Sequence, residues 1–178
     1  MVALGKFTQL QEVKVRETDP RRPSVVIAGR ILVVATEQER DDGIVWLFEQ
    51  EGESALGIHR DWLEPTGRLL AFADVRSALC RHICDGVAYM YSYHAPSTGP
   101  IGFADNRYLL EYYHRYPRET FLAAVRWGIA NARELFANYF DPRSDQSHRA
   151  FQENGAYSLE RFERFLRTLL SELEAFTR

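Results

Sequence analysis

Lysine is nearly missing from this chain. Of 22 basic residues only Lys6 and Lys14 are lysine, and the remainder are arginine. A net charge of -3 and a pI near 6.0 leave no broad cationic field, which speaks against a nucleic-acid partner. No apolar run approaches the ~20 residues of a membrane span, so no membrane role is expected. Residues 1–10 lack the basic start and continuous apolar stretch of a secretory leader, and the expected setting is cytoplasmic. Catalytic signatures are missing too. The sequence contains no GxSxG, HExxH, CxxC, GxGxxG or GxxxxGK[ST], and no cofactor is expected.

Cysteine is equally scarce, with only Cys80 and Cys84, in LCRHICDG. Four residues apart on a helix, they share a face but point nearly parallel, a poor geometry for a disulfide. With His82 they make at most half a zinc site, since a structural site needs four ligands. Core packing is the simpler role, because thiols outside disulfides are among the most buried groups. No metal is expected.

What is present is ordinary globular composition: 178 residues, 46% hydrophobic and 26% charged. A chain of that length buries roughly 70% of its unfolded surface without staples. The first third carries a short period. Gln11–Glu17 alternates around Val13 and Val15. The β-branched run 24–37 reads as one bulged strand or two, and Ile44–Glu49 and Ser54–His59 follow, joined by short polar connections. A last strand is expected at Leu69–Phe72, after a turn at Pro65–Gly67.

The period then lengthens. Asp74 is placed to cap a helix over Val75–Asp85, with Gly86 as its left-handed stop. VAYMYSYH, residues 87–94, alternates and favours a strand. Residues 95–102 form a Pro/Gly loop, Asp105 caps a helix through Tyr116, and Pro117 ends it. Arg118–Phe140 is apolar around nearly its whole circumference and reads as one buried central helix. A long polar segment, 141–156, precedes Ser158, which caps a helix with Leu159, Phe162, Leu166, Leu169, Leu173 and Phe176 at 3-4-3-4-3 spacing. That helix either packs on the central one or, through residues 158–177, forms a homodimer seam. The expected fold class is α+β. An N-terminal antiparallel β-meander (1–72, mainly strands) packs against C-terminal helices (74–178) in a single two-layer domain of 1–178.

Four groups invite a chemical reading. His59-Arg60-Asp61, with His148 further on, has the residue types of a facial iron triad, although everything after about residue 104 reads as helix rather than the barrel such sites use. Gly99-Pro100-Ile101-Gly102 is glycine-rich, yet its proline removes an amide that a phosphate cradle would use. Glu37/Glu39 and Glu49/Glu51 are paired carboxylates beside turns, where solvated charge is the simpler account. The fourth group is the densest: Tyr89, Tyr91, Tyr93, His94, Arg107, Tyr108, Tyr112, His114 and Arg115 fall within residues 89–116. Tyrosine and arginine suit a surface that is half buried and must also hydrogen-bond, and the same tyrosines could equally rim the core. The expected function is a non-catalytic protein-binding module of adaptor, inhibitor or immunity type, with a protein partner on that segment. The alternative is a small enzyme or small-ligand binder, using His94, His114 or Cys84 in a cleft between sheet and helices.

Overall fold

A computed structural model describes residues 7–17, 28–36, 42–50, 55–94, 107–140 and 158–176. Strands fill the N-terminal part and helices the C-terminal part, the α+β order expected. The chain divides into two compact units, Met1–His82 and Ile83–Arg178.

In the first unit, β1 (Gln11–Val15), β2 (Ile31–Val34), β3 (Ile44–Phe48) and β4 (Ala55–His59) form the expected antiparallel meander. The fifth strand departs from expectation. β5 covers Leu63–Leu69, includes Pro65 and Gly67, and pairs with β1, giving the order β4-β3-β2-β1-β5. Proline, which cannot donate to a ladder, is tolerated because this is an edge. The register shifts between Gln11 and Val13 as β5 bulges, with Gly67 at φ +87° inside the bulge. Residues 69–72, expected as strand, instead end β5 and open a helix.

The connection between β4 and β5 shows that the sheet coils. A flat five-stranded sheet would hold its outer strands roughly 19 Å apart. Only Arg60–Trp62, a single 3-10 turn, joins His59 to Leu63, and that span reaches at most about 14 Å. The strands therefore wrap toward a barrel. Inside it, Val13, Val15, Leu32, Val34, Val45, Leu47, Ile58 and Leu63 form one buried cluster with Phe7, every second residue of each strand. The other face carries Glu12, Lys14, Ile31, Val33, Ile44, Trp46, Phe48, Gly57 and His59, as the register requires.

Helix α1 (Phe72–His94) begins in the first unit and ends in the second. In the first, its His82 ring lies 5.9 Å from that of Phe48. Two expectations fail here: Gly86 does not stop α1, and residues 87–94 are not a strand. Val87, Ala88 and Tyr91 are buried while Tyr89 is exposed, and together with Ile83 and Cys84 they continue a helical stripe. The alternation of tyrosines in VAYMYSYH is incidental to it.

The second unit continues with α2 (Arg107–Tyr113), α3 (Arg118–Ala130), α4 (Ala132–Phe140) and α5 (Leu159–Ala175). The expected single helix 118–140 is broken at Asn131. Its Nδ2 donates to the Trp127 carbonyl at 2.8 Å, which also accepts the Asn131 main-chain amide at 3.0 Å. α5 starts as expected, Ser158 Oγ accepting from the Arg161 amide at 3.2 Å. Its apolar stripe lies against both halves of the broken helix. Phe136 and Phe162 have ring centroids 6.2 Å apart, and the Arg118 guanidinium donates to the Leu173 and Glu174 carbonyls, each at 3.2 Å, where a cation suits the C-terminal end of a helix dipole. Phe162, Phe165, Leu166, Leu169 and Leu173 are all buried this way. The stripe is thus covered within the unit, the first of the two arrangements expected of it. Among the described residues no helix is long and apolar enough to cross a membrane.

Candidate functional site

The tyrosine-rich stretch is split by its own helical period. On α2, Leu109, Tyr112 and Tyr113 turn inward, followed by Tyr116, and all four are buried. Arg107, Tyr108, Glu111 and His114 are exposed on the other side. Arg107 Nε donates to Glu111 Oε1 at 2.7 Å, an exposed i,i+4 pair that water and salt screen.

The inner face meets α1 at a glycine. A Cβ on Gly86 would lie 2.2 Å from the Tyr112 hydroxyl oxygen, so only glycine admits the ring. The Tyr112 hydroxyl donates to the Ile83 carbonyl at 3.3 Å, and that of Tyr116 donates to the Tyr112 oxygen at 3.4 Å. Burial, ahead of the neighbouring Tyr116, holds the Tyr112 phenol well above its ordinary range; burial also pushes Tyr116 up to about 12. Both stay neutral at physiological pH. The Arg115 guanidinium sits over the Tyr112 ring, 5.7 Å from its centroid, within cation–π range. Two residues before Gly86 on α1, Cys84 Sγ donates to the Ala124 carbonyl at 2.9 Å. A Cβ on Gly128 would come within 2.7 Å of that sulfur. The expected site residues therefore separate. Tyr91 and Tyr112 belong to the core, which corrects their place on a contact surface. Tyr89, Arg107, Tyr108 and His114 are exposed, and Arg115 is half-buried. Tyr93 and His94 end α1, and their side chains lie outside the described residues.

The cleft imagined around His94, His114 and Cys84 gains no support from the two members that are described. Cys84 is fully buried and bonded to α3, whereas His114 is exposed beside Tyr113, ring centroids 5.3 Å apart. Cys80 is buried too, and burial pushes its thiol up to about 11, away from nucleophilic thiolate. Neither cysteine forms a disulfide. His82 is buried as well, and burial draws its imidazole down to about 4.

His59-Arg60-Asp61 has a local structural role. His59 Nδ1 accepts from the Asp61 amide at 3.3 Å and so caps the 3-10 turn, with its ring 5.6 Å from that of Trp62. His148, Glu37, Glu39, Glu51 and Gly99–Gly102 lie outside the described residues. Glu49 pairs with Arg30. Among the described residues, no three His, Cys, Asp or Glu side chains gather as a metal site would require.

One feature of the strand unit was missed from sequence. Trp46 stands opposite Gly57 on the outer face of the sheet, and its ring covers the space that a Gly57 side chain would fill. The available signal was a glycine inside ALGIH, an uncharged strand. Comparison with protein families, with characterised proteins and with solved structures finds no match to this chain.

Proposed function

We propose that the protein is a non-catalytic protein-binding module of adaptor, inhibitor or immunity type. Its contact surface is the outer side of α1 and α2, with Tyr89, Arg107, Tyr108, His114 and Arg115. One observation carries this reading: Tyr89 and Tyr108, 42% and 54% exposed, are the large apolar side chains left open among the described residues of the helical unit. Each stands about one turn from the Gly86–Tyr112 crossing, so a fixed seam supports both. Exposed tyrosine offers a large contact area at low rotamer cost, and neighbouring arginine adds planar hydrogen bonding. The net charge of -3 favours a protein over a nucleic acid as partner. Two cysteines held as thiols fit a reducing, cytoplasmic setting.

The test is the double variant Tyr89→Ala/Tyr108→Ala. Its melt should stay within about 0.5 kcal/mol of wild type. Titration calorimetry with a partner captured by the wild-type chain should show affinity reduced about tenfold or more. A partner that binds the double variant as tightly as wild type would remove the proposal.

A further inference from the structure

The two edges of the strand unit are built differently. β5 carries the usual protections of an open edge: Pro65, a bulge at Gly67, and the charges of Glu64 and Arg68. Arg68 and Thr66 are also tied to the buried Glu12 carboxylate, each at 2.9 Å. β4, Ala-Leu-Gly-Ile-His, has no proline, no bulge and no acidic or basic side chain beyond His59.

The register shows which main-chain groups β4 presents outward. The Arg60 amide donates to the Gly43 carbonyl at 2.9 Å, which makes that facing pair a hydrogen-bonded one. In an antiparallel ladder such pairs alternate. Val45↔Ile58 and Leu47↔Leu56 are therefore hydrogen-bonded, while Ile44↔His59, Trp46↔Gly57 and Phe48↔Ala55 are not. The next strand agrees, since the Trp46 carbonyl is turned to β2, where it accepts from the Ala35 amide at 2.9 Å. Ala55, Gly57 and His59 consequently aim their N–H and C=O groups away from the sheet. Gly57 is exposed, and having no side chain, its exposure is that of the main chain.

We propose that β4 is a strand-addition site that takes an extended peptide of another protein, with a large apolar residue opposite Gly57. An incoming strand would exchange hydrogen bonds with Gly57 and place that residue on the outer face. There it would meet Trp46, whose ring atoms lie 3.3 and 3.6 Å from the position of a Gly57 Cβ. The residue would therefore pack on the benzene rim of the indole, the part of Trp46 that lies beside Gly57. Ile31, 47% exposed, and Ile44 extend the same face away from the edge. Main-chain pairing gives affinity in such sites and the side-chain pocket gives selectivity. A second copy of this chain is the poorer occupant. Antiparallel self-pairing centred on Gly57 sets glycine against glycine and leaves the Trp46 position without a side chain. This site is separate from the helical surface proposed above and does not depend on it.

The experiment selects peptides from a displayed random library on the full-length chain and follows amide exchange by NMR as a selected peptide is added. The expected signature is alternation. The Ala55, Gly57 and His59 amides should slow about tenfold or more, whereas Leu56 and Ile58, already bonded to β3, should change little. Gly57→Pro, which removes one outward donor, should weaken the peptide about tenfold. A Cβ there lies 3.0 Å from Ile44 Cγ2, so His59→Lys, an edge charge, is the second variant if the first fails to fold. Tyr108→Ala should bind the peptide as wild type does. Three results would overturn the site: no peptide enriched, protection without alternation on β4, or the same protection produced by protein concentration alone, which would make a second copy the occupant.

Discussion

The two units solve core formation with different side chains. The strand unit fills its interior mainly with valine, leucine and isoleucine, with Phe7 as its one buried ring, and none of these has a polar atom to satisfy. The helical unit mixes aliphatic side chains with many buried rings. Tyr113 and Phe121 meet edge to face at 5.3 Å, Tyr91 and Phe165 lie 4.7 Å apart, and Tyr112 and Tyr116 are buried with their hydroxyls bonded. Branched aliphatics suit the pleated interior of a coiled sheet, where every second residue points inward. Rings suit the wider and less regular gaps between helices, and a buried tyrosine must also find a hydrogen-bond partner. The same residue type is therefore core on one side of α2 and surface on the other.

The largest expected effect tests that division. Tyr112→Ala should cost about 3–5 kcal/mol in a denaturant melt, whereas Tyr112→Phe, which removes only the hydroxyl, should cost about 1 kcal/mol. Tyr108→Ala, on the opposite face, should cost less than about 0.5 kcal/mol. Equal losses at 108 and 112 would break the comparison.

The units should also fail at opposite ends of the pH scale. His82, lowered to about 4 in the folded chain, stays neutral there while the unfolded chain protonates near 6.5. Its contribution is fully present above 6.5 and is lost as pH falls toward 4, about 3 kcal/mol in all. Tyr116, raised to about 12, acts in the other direction. Its contribution is present below about 10 and is lost as pH rises through 12, with Tyr112 shifted the same way. Melts across pH should show both arms, and His82→Gln should flatten only the acid one.

Gly86→Ala gives a smaller effect with an informative sign. In an open helix interior this change stabilises by up to about 1 kcal/mol. Here the new methyl meets the Tyr112 hydroxyl, and a loss of about 1–3 kcal/mol is expected. A gain would mean that the α1–α2 seam is looser than drawn. Smallest of all is the effect of a chelator. The melting temperature should not move, and a drop would reveal a metal held by residues outside those described.

The Gly86 position also shows why part of the chain was illegible. From sequence, glycine after Asp85 is a helix stop, because its local preference for the left-handed region is visible there. What decides its role is Tyr112, 26 positions away, and contacts at that separation leave no periodic trace. The break at Asn131 was hidden for a related reason. An apolar pattern continues across a kink, and the Asn131 side-chain bond to the Trp127 carbonyl is a single local event. Pro65 and Gly67 misled in the same way, because both are turn residues in isolation and edge-strand residues once β1 lies beside them.

The sequence by itself determined the features that are local: the alternation behind β1, the β-branched runs and short connections behind β2 to β4, the change of period near Asp74, and the Ser158 cap with its 3-4-3-4-3 stripe. Each is a local regularity, set by the backbone geometry of one element and readable without its neighbours. Only the tertiary structure decided which edge of the sheet is protected, which tyrosines are core and which side of α2 is open. Those outcomes depend on what lies opposite each residue, and a register or a helix crossing is fixed between elements rather than within one.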